Sequence, residues 1–126
     1  MIEIKDGNGI VIWKNNLIDN LIGANLKGAN LKGADLIGVN LQDAKLNGAI
    51  LVCAHLKEAN LSHSDLSNAE ILLTDLKDAN LTGANLTSAK LTCSHLDRTN
   101  LSYATLTNAN ITDVDFNYAN LTGANF

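Results

Sequence analysis

From Leu21 to Phe126 an apolar residue stands at every fifth position without a miss. The series begins Leu21, Leu26, Leu31, Leu36 and Leu41, and 18 of its 22 members are Leu, so this is a strict repeat rather than drift. Ile71, Ile111, Phe116 and Phe126 complete it. Two positions before each of these centres lies a small residue, and all 15 Ala of the chain occupy that slot. Asp19, Val39, Ser64, Thr74, Ser94, Thr99 and Val114 depart from Ala there. Between small residue and centre comes Asn or Asp in 15 of 22 units, which marks the position as polar and outward. Seven of the nine Gly follow a centre by two positions, where a chain corner would fall.

A five-residue step excludes an amphipathic helix. It turns successive side chains by about 140°, scattering the centres round the cylinder. A simple strand needs a period of two throughout, whereas the inward spacing here is two and then three. The pattern predicts a short extended segment with two inward side chains, followed by a two-residue corner. Gly suits a corner that requires a positive φ. The absence of Pro fits a backbone whose N–H groups pair between coils. Residues 1–16 lie outside the period. Ile2–Lys5 and Ile10–Trp13 flank Asp6-Gly7-Asn8-Gly9, which predicts a β-hairpin. The expected organisation is therefore a capping segment at 1–16, with Trp13 over the first coil, and a repeat region at 17–126.

The blocks Ala24-Asn25-Leu26-Lys27-Gly28, Ala29-Asn30-Leu31-Lys32-Gly33 and Ala34-Asp35-Leu36-Ile37-Gly38 resemble the pentapeptide-repeat family, A(D/N)LXX. The resemblance implies an all-β fold, a right-handed quadrilateral β-helix with four pentapeptides per coil. About five coils spaced by ~4.8 Å would form a rod ~25 Å long. Such a solenoid gains its stability from contacts between neighbouring coils.

Twenty residues per coil stack positions twenty apart, and this lays out the faces. One face has the outward column Asp35, His55, Asp75, His95 and Asp115. With Glu58, Asp78 and Asp97 against Lys57, Lys77 and Arg98, it carries −3 of the whole chain's −4. This candidate acidic face comprises Asp35, Asp75, Asp78, Asp97 and Asp115. A second column breaks the polar rule: Ile50, Val52 and Cys53 stack on Leu72 and Leu73, and Ile37 widens the patch. An exposed apolar patch marks a contact surface, so Ile37, Ile50, Val52, Leu72 and Leu73 are the candidate partner-binding residues. The column Asn40, Asn60, Asn80, Asn100 and Asn120 invites side-chain amide ladders with a structural role.

Candidate chemistry is sparse. Cys53 and Cys93 stand two coils apart, ~9.6 Å, beyond the reach of a disulfide. They read as free thiols in a reducing compartment, and the expected location is cytoplasmic. Cys53-x-His55 and Cys93-x-His95 are each too few, and too far from one another, for a shared metal. No metal, cofactor or catalytic residue is expected, and a filled convex rod offers no substrate pocket. Asn-x-Ser/Thr triplets arise from the repeat itself. The net charge of −4 argues against direct nucleic-acid binding. No apolar run reaches the ~20 residues of a membrane helix, and Met1–Lys5 lacks the pattern of a signal peptide.

Two classes of function follow. The first is a non-enzymatic interaction or structural rod, binding a protein partner or itself through the apolar face. Phe116 and Phe126, larger than Leu, are candidate contacts for an end-to-end homodimer. The second comes from the resemblance. Gyrase-protecting members of the family dimerise into an acidic rod that resembles DNA, which implies a DNA mimic acting on DNA gyrase through the acidic face. This chain is shorter and only mildly acidic, without a C-terminal dimer helix or protruding loop.

Overall fold

The computed structural model describes residues 2–5, 11–15 and 21–126. Strand β1 (Ile2–Lys5) pairs antiparallel with β2 (Val11–Asn15), in the register Ile2↔Asn15, Glu3↔Lys14, Ile4↔Trp13. The pairing is irregular between Ile4 and Lys5. The second strand runs to Asn15, and the turn expected at Asp6–Gly9 lies outside the described residues. The expectation that Trp13 covers the first coil concerns side chains outside those described.

From Leu21 onward the chain winds as a β-helix. Parallel bridges link residues twenty apart from Asn25↔Lys45 to Thr105↔Asn125, so one coil is four pentapeptides. Centres and small residues point inward. Leu36, Leu41, Leu46, Leu61 and Leu81 are fully buried, as are most of the Ala between them. The core is a narrow stack of Leu and Ala layers because two inward side chains per segment leave room for little else.

The backbone donors of a unit can be followed in full at 59–63. Ala59 N–H donates to Leu56 O (3.0 Å), closing the preceding turn. Asn60 N–H reaches back to Val39 O (3.0 Å), while Leu61 and His63 N–H reach forward to Asn80 O (2.7 Å) and Thr82 O (2.9 Å). The remaining donor, Ser62 N–H, is capped by Asn60 Oδ1 (3.1 Å). All five N–H groups are satisfied, as a buried ladder demands. This explains the outward Asn/Asp slot: its side-chain oxygen holds the N–H of the turn two residues on. The same bond recurs at Asn25, Asn30, Asp35, Asn40, Asp65, Asp75, Asn80, Asn85, Asn100, Asn110, Asp115 and Asn120.

Every corner needs a left-handed residue. The residue two past each centre, from Gly23 to Gly123, has φ between 55° and 69°. Gly fills only some of these positions. Side chains as large as His63, Leu73, Arg98 and Tyr103 fill others, at a cost of about 1 kcal/mol each. The small slot also tolerates hydroxyls, because each one finds a carbonyl. Thr74 Oγ1 donates to Leu51 O (2.7 Å), Thr99 Oγ1 to Leu76 O (2.8 Å) and Ser64 Oγ to Leu61 O (2.7 Å). Ser94 bridges the turn of the preceding coil. Its hydroxyl donates to Ile71 O and accepts Thr74 N–H (3.2 Å). The Asn ladder forms over two steps, Asn60 Nδ2 to Asn40 Oδ1 (3.2 Å) and Asn80 Nδ2 to Asn60 Oδ1 (3.3 Å). Beyond it, Asn100 Oδ1 accepts from the Ser102 N–H and hydroxyl (3.0 and 2.8 Å).

Candidate functional site

Three columns run side by side along the face centred on Leu36, Leu56, Leu76, Leu96 and Phe116. At one corner stand Val52 and Cys53 above Leu72 and Leu73, tied by the bond from Cys53 N–H to Leu72 O (3.0 Å). Leu73 is 58% exposed and Cys53 is exposed, while Ile50, Val52 and Leu72 are partly covered. Local sequence produces this ridge directly. A turn residue with φ near 55° projects its side chain away from the coil, so an apolar side chain there meets water. Ile50 has no oxygen to cap the N–H of Val52, so this corner departs from the polar rule in backbone as well as side chain. Ile37 is 52% exposed but stands at the next corner, in the column that continues with Lys57 and Lys77. The face thus separates it from the ridge. Cys53 and Cys93 are both free thiols.

The middle column bridges Asp35↔His55, His55↔Asp75, Asp75↔His95 and His95↔Asp115. Asp35, Asp75 and Asp115 each spend one carboxylate oxygen capping a turn N–H.

The far corner is a network of ion pairs. The Arg98 guanidinium grips Asp78 of the coil before it through two bonds, Nε to Oδ1 at 2.7 Å and NH2 to Oδ2 at 2.9 Å. It also lies 3.2 Å from Asp97 Oδ2. Lys77 Nζ stands 3.9 Å from Asp97 Oδ1, and Lys57 Nζ lies 3.4 Å from Glu58. Two of the five candidate acidic residues, Asp78 and Asp97, are therefore matched by cations. The hydrogen bonds from Arg98 hold the Asp78 carboxyl below its ordinary range, and Asp78 in turn raises Arg98. A lowered folded pKa means that the pair's contribution is complete above the ordinary Asp range and lost as pH falls through the lower folded value. Asp78 is expected to titrate below the ordinary Asp range, and Arg98→Gln to return it towards that range. Carbon-detected NMR titration of the carboxyl groups checks this.

Phe116 is partly buried and Phe126 is 56% exposed on the last coil, where Ile111 and Leu121 are also uncovered. Tyr103 and Tyr118 are exposed turn residues to which the periodicity assigns no role. Tyr103 lies over Gly123, where a Cβ would come within 2.6 Å of its ring. Sequence reasoning also missed a cluster on the middle column. His95, Asp97 and Asp115 each bring a ligand-type atom within 4.8 Å of the others. Column arithmetic carries the signal, since His95-x-Asp97 sits twenty residues before Asp115.

A β-helix of five-residue units with filled core and chemically distinct corners is the structure of a pentapeptide-repeat protein. The family model for pentapeptide repeats matches in eight copies, over residues 20–51, 49–92, 79–117 and 89–126. The chain belongs to that family.

Among solved structures it is similar to Rfr23, a pentapeptide-repeat protein of the cyanobacterium Cyanothece 51142. The identity is 27% and the TM-score 0.74, over 86% of this chain and 91% of that one. It is also similar to HetL of the cyanobacterium Nostoc sp. strain PCC 7120, a pentapeptide-repeat protein involved in heterocyst differentiation regulation. There the identity is 30% and the TM-score 0.61, over 86% of this chain and 58% of HetL. Full-length QnrB1, a plasmid-mediated fluoroquinolone resistance protein, shares the fold at 18% identity and TM-score 0.50, over 85% of this chain and 70% of that one. A comparison with curated proteins finds no match. No helix among the described residues is long and apolar enough to cross a membrane.

Proposed function

We propose that this chain is a non-enzymatic interaction rod that contacts protein through the ridge formed by Ile50, Val52, Leu72 and Leu73, its partner being a second copy of itself. The observation that carries this reading is Leu73, which is 58% exposed on a left-handed turn residue. Folding gains little from an apolar side chain held in that position, whereas a covered ridge would gain its burial. The ridge can face its own copy. An axis of twofold symmetry lying across the ridge, between the coils of Val52 and Leu72, sets Val52 against the partner's Leu72, and Cys53 against the partner's Leu73. The same axis brings His55 opposite the partner's Asp75 but Ile50 opposite the partner's Glu70, so the apolar match rather than charge favours this pairing. A ridge of this size lies at the low end of specific interfaces, so the dimer is weak and depends on concentration.

Sedimentation velocity across a concentration series tests the reading. The unmodified chain is expected to shift from monomer to dimer, and Leu72→Ser with Leu73→Gly to remain monomeric. Gly at position 73 relieves about 1 kcal/mol of left-handed strain, against roughly 0.5–1 kcal/mol of extra chain entropy. Loss of the dimer would then not reflect loss of the fold. Equal association by both chains would refute the proposal.

The DNA-mimic reading has less support. QnrB1 shares only the fold, and the cations on Asp78 and Asp97 leave Asp35, Asp75 and Asp115 to supply the field. A gyrase supercoiling assay tests it: inhibition or protection by the purified chain would revive it, and unchanged supercoiling would remove it.

A further inference from the structure

We infer that His95, Asp97 and Asp115 form a binding site for a divalent transition-metal ion of the zinc type, independent of the apolar ridge. The β-helix assembles it from two coils. His95 and Asp115 are bridge partners in the middle column, held by the bonds from Leu96 N–H to Asp115 O (2.8 Å) and from Asp115 N–H to Ser94 O (3.1 Å). Asp97 enters from the turn two residues after His95. The three ligand-type atoms lie within 4.8 Å of one another, against about 3.0–3.5 Å for adjacent ligands at the usual zinc distances of about 2.0–2.2 Å. A side-chain adjustment of roughly 1 Å therefore closes them on one ion.

A second observation points to a ligand. Asp97 is only 8% exposed, and its Oδ1 is buried without a hydrogen-bond partner. Lys77 Nζ lies 3.9 Å from it, an ion pair beyond hydrogen-bond distance, while Arg98 pairs with Oδ2 at 3.2 Å. A buried carboxylate oxygen without a hydrogen bond is costly, and a metal ion bound there would complete it. Asp115 uses Oδ1 for the N–H of Asn117 (2.9 Å), leaving Oδ2 free of that bond. One imidazole and two carboxylates form a nitrogen–oxygen set suited to zinc and its first-row neighbours, with water completing the shell.

The rod supplies its own control. His55 and Asp75 repeat the His-over-Asp geometry two coils earlier, but Lys57 stands where Asp97 stands in the later coil. Lys57 offers no ligand oxygen in that place, so among the described residues the three-ligand set is found only at the coil of His95.

The test is calorimetric titration of the full chain with zinc chloride, repeated with cobalt(II) and read by absorption. One saturable zinc site is expected. His95→Ala and Asp97→Asn should each weaken it by at least about tenfold, the smallest loss typical of even outer-shell partners of a metal. His55→Ala should leave it unchanged. Cobalt should bind without a thiolate charge-transfer band, since Cys93 is not a ligand. The inference is overturned by absence of saturable binding, by equal affinity in the His95→Ala chain, or by a thiolate band. Thermal unfolding without metal shows whether the Asp97→Asn chain is folded, and His95→Ala, at an exposed position, keeps the test decisive if it is not.

Discussion

Leu61→Ala is expected to lower the unfolding free energy by about 2–5 kcal/mol, the range for emptying a fully buried leucine site. Leu61 is 0% exposed and stacks between the coils of Leu41 and Leu81. Its neighbours cannot collapse into the vacancy. Each coil is fixed at ladder spacing by bonds such as Leu61 N–H to Asn80 O (2.7 Å), and the Ala of the small slot are too short to reach across. The cavity therefore persists, which places the loss towards the upper part of that range. The same substitution at Leu121, already 37% exposed on the last coil, should cost a small fraction as much. In a solenoid each coil is stabilised by its neighbours, and a terminal coil has one where a central coil has two. Urea unfolding of the two variants measures the contrast. Similar losses at both positions would mean that the core does not stack in the way described.

Ala84→Leu is the converse. Ala84 is 0% exposed, and its N–H closes the turn onto Leu81 O (3.0 Å). It stacks between Ser64 and Ala104, so added methylenes meet backbone above and below rather than movable side chains. Overpacking costs about 1–3 kcal/mol in cores that can shift. A ladder of bonds on every side cannot shift, so the loss should reach or exceed the top of that range. Ala84→Ser should be far milder, because Ser64, Thr74, Ser94 and Thr99 all place a hydroxyl in this slot and bond it to a carbonyl. Thermal unfolding that ranks the parent chain and the Ser variant together, well above the Leu variant, is the expected result.

The period made the fold legible. Two inward positions in five exclude a helix, and a twenty-residue stack follows once the resemblance supplies four sides. The outward direction of the Asn/Asp slot was also legible. Its purpose was not, because capping a turn N–H depends on where that N–H points, and no spacing reveals this. The hydroxyls of Thr74 and Ser94 look like defects in an Ala column, yet each reaches a carbonyl of the preceding coil. The apolar ridge is readable from Leu72 and Leu73, but Ile37, close to it in the column layout, stands at another corner. The pairing of Asp78 with Arg98 required side-chain geometry, because column arithmetic places the two charges near one another without saying that they join. The column layout sets His95 beside Asp115 and puts Asp97 on the same face, but that their ligand-type atoms converge depends on side-chain geometry.

A nitroxide spin label on Cys53, in a Cys93→Ser chain mixed with isotope-labelled but spin-free chain, tests most directly whether the ridge is the contact surface. Cys53 is exposed and stands in the ridge. Intermolecular broadening should centre on the amides of Leu72–Asp75 in the spin-free chain and fade towards both ends of the rod. Broadening confined to the last coil around Phe116 and Phe126, or absent at concentrations where dimer sediments, would contradict the proposed function.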